Sequence, residues 1–154
     1  MLMNLNRSQA LRQLLGFMLL GASSSVIAAG VIEMYKSPYC GCCSAWAQHM
    51  ESMGFEVNSH AINDINAKKQ QLGIPAQLAS CHTAMIEGYR IEGHVPAREV
   101  QRLLDERPNI SGLAVPGMPH GSPGMETGRQ EAYTVYAFDL KHRTLAPYQR
   151  YPSE

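Results

Sequence analysis

The spacing of hydrophobic and polar positions changes several times along the chain, and each change marks an element. Val31-Ile32-Glu33-Met34-Tyr35 is a mostly apolar run that stops at a Ser-Pro turn, and it predicts a buried strand. Ala45, Trp46, His49, Met50 and Met53 then recur at spacings of three and four. They predict a helix from Cys40 or Gly41 to about Met53, with Gly54 as its stop and its methionines in the core. Residues 55–61 alternate as a second strand. Asp64 is a good N-cap for a short second helix that ends before Gly73, with Pro75 just beyond it. Residues 83–87 and 89–92 flank Gly88 as the arms of a tight hairpin, and Pro96 suits the first position of a third helix through Leu103, Leu104 and Asp105. Residues 112–128 read as one long Pro/Gly-rich loop, of a length that is usually functional or disordered. Residues 132–138 form a last strand, and the tail from Lys141 onward carries no clear pattern.

The order strand, helix, strand, helix, strand, strand, helix defines an α/β domain. With cysteines between the first strand and the first helix, the expected fold is a thioredoxin-like mixed sheet flanked by helices. To it are added a Pro/Gly/Met-rich loop and a further C-terminal strand. Its 154 residues suit one domain. Before that domain, Arg7 and Arg12 precede the apolar residues 14–22, and Val26-Ile27-Ala28 offers small side chains where a leader would be cut. Residues 1–28 are therefore read as a signal peptide and residues 29–154 as the mature domain. The apolar part is short for a membrane span, so membrane contact would arise only through this segment if uncleaved. The mature part keeps 11 basic against 13 acidic residues, a net charge of −2 with histidines neutral. It has no basic block, and nucleic acid is not an expected partner.

Three of the four cysteines fall within Cys40-Gly41-Cys42-Cys43. Cys40 and Cys43 are three apart and share a helix face, with Cys40 where unpaired N–H groups and the helix dipole favour a thiolate. That is the arrangement of a reactive thiol and its resolver in a thiol-disulfide oxidoreductase. Cys42 complicates it, because a third thiol can trap the mixed disulfide. Clustered thiolates suit soft Cu(I), which they can bridge into a polynuclear cluster. A zinc site would more often pair two separated knuckles, and the second half here is only Cys81-His82. The plainest alternative is a single disulfide with two inert buried thiols. In the expected sheet, the loop entering the third strand packs against the start of the first helix, which would bring Cys81 and His82 to the cluster.

Met34 and Met85 fall on strands and are expected in the core. Met118, His120 and Met125 lie in the Gly/Pro loop, where they serve either as copper-contacting thioether and imidazole ligands or as cover for a sheet edge. With His82 they are the candidates for secondary metal ligands. His60 and His142 read as surface residues, and His94 as structural or as support behind the ligands.

Four ordered stretches together carry a family resemblance. They are Tyr39-Cys40-Gly41-Cys42-Cys43, Ser80-Cys81-His82-Thr83-Ala84, residues 88–97 (Gly-Tyr-Arg-Ile-Glu-Gly-His-Val-Pro-Ala), and residues 117–126 (Gly-Met-Pro-His-Gly-Ser-Pro-Gly-Met-Glu). The chain resembles an exported bacterial metal-binding family, long without an assigned function, that includes the CopG-type copper resistance proteins. The resemblance spans essentially the whole mature part. It implies a thioredoxin-like fold, a Gram-negative periplasmic setting and a role beside copper efflux or oxidase components. It also implies Cys40, Cys42, Cys43 and Cys81 as copper ligands. The competing expectation is a metal-independent thiol-disulfide oxidoreductase that uses Cys40 and Cys43 as its catalytic pair.

Overall fold

A computed structural model describes residues 30–152. The leader assigned to residues 1–28 lies outside the described residues. Among the described residues, three α-helices flank one mixed seven-stranded sheet, in the order β2 (Glu56–Ala61), β1 (Val31–Lys36), β3 (His82–Ile86), β4 (Tyr89–Glu92), β5 (Gly112–Ala114), β6 (Tyr133–Asp139), β7 (Thr144–Tyr151). The first strand β1 (Val31–Lys36) runs parallel to β2 (Glu56–Ala61), which returns after α1 (Gly41–Ser52). The short helix α2 (Ile65–Gln71) starts at Asp64, whose carboxylate accepts from the Ala67 amide at 2.8 Å. A single 3₁₀ turn (Ala76–Leu78) leads to β3 (His82–Ile86), antiparallel to both β1 and β4 (Tyr89–Glu92). Helix α3 (Ala97–Glu106) follows. Pro96 is its N-cap and not its first helical residue; it makes no side-chain capping bond, and the Ala97 N–H donates to His49 Nε2 at 3.2 Å.

Two further strands differ from the sequence expectation. Gly112–Ala114, assigned to the loop, forms β5, buried between parallel β4 and antiparallel β6 (Tyr133–Asp139). The patternless tail forms β7 (Thr144–Tyr151), an edge strand paired to β6. β7 is mostly solvent-facing, so no alternation of apolar and polar residues announces it.

The sheet carries a core on each face. Ile32, Met34, Ala84, Ile91 and Leu113 pack with Trp46 and Met50 of α1 and Val100 and Leu103 of α3. The other face is smaller, with Ile74, Leu78, Ala114 and Phe138 beneath α2 and the 3₁₀ turn. Met53 departs from its expected core place: α1 stops at Ser52, and Met53 is 55 % exposed. Trp46 is fully buried, and its indole N–H donates to the Val95 carbonyl at 2.9 Å, pinning α1 to the turn that enters α3. This tie fixes the first turn of α1 against the end of β4, where the cysteines stand.

Candidate metal centre

Cys40 is the N-cap of α1, and it makes no side-chain capping bond. No acidic side chain occupies the first turn. The free N–H groups of that turn therefore face the sulfur cluster and favour negative charge there. Cys40 and Cys43 are joined as a disulfide, their Cα atoms 5.4 Å apart. Cys42 Sγ lies 3.5 Å from Cys40 Sγ and 3.8 Å from Cys81 Sγ. Cys81 comes from the residue just before β3, and that strand's pairing with β1 delivers it to the N-terminus of α1. The four sulfurs lie within 4.8 Å of one another, close enough to share one metal ion once all are reduced.

A second group shares Cys81. Its sulfur is 2.9 Å from His94 Nε2 and 3.4 Å from His82 Nδ1, and these three ligand atoms also lie within 4.8 Å of one another. His94 is fully buried, and its Nδ1–H donates to the Pro123 carbonyl at 2.7 Å. That bond fixes the tautomer, leaving the Nε2 lone pair aimed at the Cys81 sulfur. The Cys81 S–H donates to it in the metal-free protein, and a cation between them would replace the proton. Sequence reasoning left His94 between a structural and a supporting role. The signal that could have promoted it is its place between Gly93 and Val95-Pro96, at a forced turn beside the hairpin end.

The other candidates are placed as follows. His82 is fully buried beneath Trp46, its ring centroid 4.5 Å from the indole, and its Nε2 has no partner among the described residues. Met118 is 51 % exposed, Met125 is half-buried, and His120 stands outside both converging groups. His120 Nδ1 is instead within 2.5 Å of the Thr127 hydroxyl, and its backbone N–H donates to Glu131. His60 and His142 are exposed, each against a carboxylate, Glu33 and Asp139 respectively. The 117–128 loop reaches the site through backbone: Pro123 holds His94, and Gly124 lies directly on the Cys42 carbonyl and the Trp46 amide.

Burial pushes the Cys81 thiol up to about 12, and the neighbouring Cys42 adds to the effect. Such a thiol keeps its proton until a soft cation displaces it, so metal uptake here would release protons. Burial holds His82 well below the ordinary imidazole range, helped by His94 and Lys69, and burial also lowers His94. The unfolded chain binds a proton at His82 below about pH 6.5, and the folded chain does not. Stability of the metal-free protein is therefore complete above that pH. It is expected to fall on acidification by up to about 1.4 kcal/mol per pH unit from this group. Urea midpoints of the reduced, metal-free protein near pH 7.5 and 5.5 measure it; equal midpoints would mean that His82 protonates in place.

Comparison with known proteins adds three findings. A family model described as "Protein of unknown function, DUF411" matches residues 78–125, the stretch holding Cys81, His94 and the Met/His loop. No curated protein sequence matches. Two solved structures align over 80 % of this chain and 98 % of their own length. "Copper resistance protein copG- Form 2" is 44 % identical with a TM-score of 0.76, and "Copper resistance protein copG- Form 1" is 43 % identical with a TM-score of 0.75.

Proposed function

The chain belongs to the family of the copper resistance protein copG, and on that premise we propose that it is a periplasmic copper-binding protein of copper resistance, holding Cu(I) on Cys40, Cys42, Cys43 and Cys81. The observation that carries this reading is the position of Cys81. A dithiol enzyme has no need of a fourth sulfur, yet Cys81 is brought from 39 positions away to 3.8 Å from Cys42. Four thiolates in one nest suit Cu(I), and bridging sulfurs allow more than one ion in a compact cluster. His94 and His82 supply imidazole on the Cys81 side, with Met118, His120 and Met125 of the covering loop as further candidates. Copper here is cargo. Residues 1–28 serve as a cleaved export signal in this reading, and 29–154 as a single domain. Among the described residues no helix is long and apolar enough to cross a membrane.

The Cys40–Cys43 disulfide favours a second activity at the same place. Forming that bond from two thiols releases two electrons and two protons, which reduces two Cu(II) ions to two Cu(I). Run in this direction, the pair interconverts copper states. Run against a protein disulfide without metal, it is the rival thiol-disulfide oxidoreductase. The oxidised pair cannot offer all four thiolates, so redox state and metal capacity oppose each other. Efflux or oxidase components of copper resistance are the partners this role calls for.

Anaerobic titration of the reduced protein with Cu(I), against a competing chelator, tests the proposal. Uptake that disappears when all four cysteines are changed to serine is the expected result. No uptake by the parent protein, or uptake that survives the fourfold change, overturns it.

A further inference from the structure

Outside the sulfur nest, the least expected feature is a charged pair sealed beneath α2. Lys69 is 5 % exposed and Glu92 is 0 % exposed, with Lys69 Nζ 2.5 Å from Glu92 Oε1. A buried ion pair of this kind adds little net stability, because desolvating two charges offsets their attraction. Leu or Met in the same space would avoid that desolvation, and the core on this face of the sheet, Ile74, Leu78, Ala114 and Phe138, is apolar. What an apolar replacement could not do is accept a hydrogen bond. Glu92 Oε1 accepts a second one, from the backbone N–H of Ser80 at 2.6 Å. Ser80 immediately precedes Cys81.

Ser80 is a joint between the two loops that meet at the site. Its hydroxyl donates to the Gly117 carbonyl, and the Gly117 N–H reaches the Ala79 carbonyl at 3.4 Å. Gly93 makes room for it: a Cβ there, at φ +71°, would stand 2.5 Å from both the Ser80 Cβ and the Val115 carbonyl. One carboxylate at the end of β4 thus anchors the Cys81 loop and, through Ser80, the start of the Met/His loop.

We infer that Glu92, held in place by Lys69, is a positioning residue that sets Cys81 against Cys42 for metal capture. The inference rests on the copper reading for its functional consequence and on geometry alone for its structural part. Buried polar groups retained for specificity are recognised by the bond an apolar isostere cannot make, and here that bond is Ser80 N–H to Glu92. Lys69 keeps the carboxylate oriented by occupying the same oxygen from the α2 side.

Two double variants separate position from stability. Lys69→Met with Glu92→Leu removes both charges and the acceptor. Lys69→Met with Glu92→Gln removes the charges but keeps a carbonyl oxygen for Ser80, with its amide toward Thr83, the register partner of Glu92 on β3. The Met/Leu chain is expected to bind Cu(I) about tenfold more weakly, within the range for losing an outer support of a metal site. In its reduced, metal-free form Cys81 should also react faster with iodoacetamide, read site by site by mass spectrometry. The Met/Gln chain should restore both toward the parent. A folded Met/Leu chain that matches the parent in both measurements overturns the inference, as does a Met/Gln chain that fails like Met/Leu. If the parent takes up no Cu(I), the copper reading falls, while the alkylation comparison still decides the positioning role. If Met/Leu does not fold, amide exchange in the parent decides it: Ser80 should exchange slowly, and exchange at the rate of a free loop amide overturns the role.

Discussion

Cys42→Ser should abolish tight Cu(I) binding while leaving the Cys40–Cys43 couple able to turn over a model disulfide. Cys42 contacts both sides of the nest, its sulfur 3.5 Å from that of Cys40 and 3.8 Å from that of Cys81. Removing it leaves Cys40, Cys43 and Cys81 within 4.8 Å of one another but takes away the sulfur that contacts both sides. Three thiolates without the bridging one hold a soft cation less tightly than four convergent thiolates do. The loss should exceed about a hundredfold in affinity, beyond the upper end of what removing a mere outer support costs. The redox pair, by contrast, keeps its N-terminal position on α1 and the unpaired N–H groups that favour a thiolate at Cys40. Chelator competition and metal-free disulfide reduction, run on the same preparation, measure the two effects separately. Parent-like copper affinity in Cys42→Ser would remove Cys42 from the ligand set and overturn the four-sulfur nest. Joint loss of both activities would mean that the dithiol chemistry itself depends on the third thiol.

The residues legible in the sequence were those whose position follows from local spacing or strand order. Cys40 and Cys43 share a face because a helix repeats near that spacing, and Cys81 reaches them because β3 pairs with β1. The elements that were missed are defined by their neighbours. Gly112–Ala114 has three residues and no pattern of its own; it becomes β5 because β4 and β6 each supply a ladder. β7 carries Pro147 and a register shift opposite Val135/Tyr136, and an exposed edge strand needs no buried face. Buried charge was invisible for a related reason. Lys69 lies in a short polar helix that reads as solvated, and only the folded chain places it over Glu92. His94 was ambiguous because its partners, Cys81 and the Pro123 carbonyl, are 13 and 29 positions away. Met118, His120 and Met125 show the limit of composition as a guide. Their residue types suit copper, yet the loop's described ties to the site run through Pro123, Gly124 and the Gly117 backbone.

Those backbone contacts give the second large expectation, Gly124→Ala. Gly124 has φ +84°, and a Cβ built there would stand 2.7 Å from the Cys42 carbonyl and 2.8 Å from the Trp46 amide. Both neighbours are backbone of α1, which cannot yield without breaking the helix turn that carries the cysteines. The alanine must therefore lift the loop. An L-residue in this conformation already costs about 1–2 kcal/mol, and the overlap adds to it. Lifting the loop also withdraws the Pro123 carbonyl, so His94 Nδ1–H loses its acceptor and the ring loses the orientation that aims Nε2 at Cys81. Copper held by the cysteines should remain, but about tenfold more weakly, as for other losses behind a metal ligand. Gly117→Ala is the matched control: φ is +68° there, yet nothing lies within 4 Å of its Cβ. It should show the conformational penalty in urea denaturation and parent-like copper affinity. Equal copper affinities for the two variants would mean that the loop covers the site without shaping it. A tenfold gap at similar stability would assign the loop a part in holding the metal.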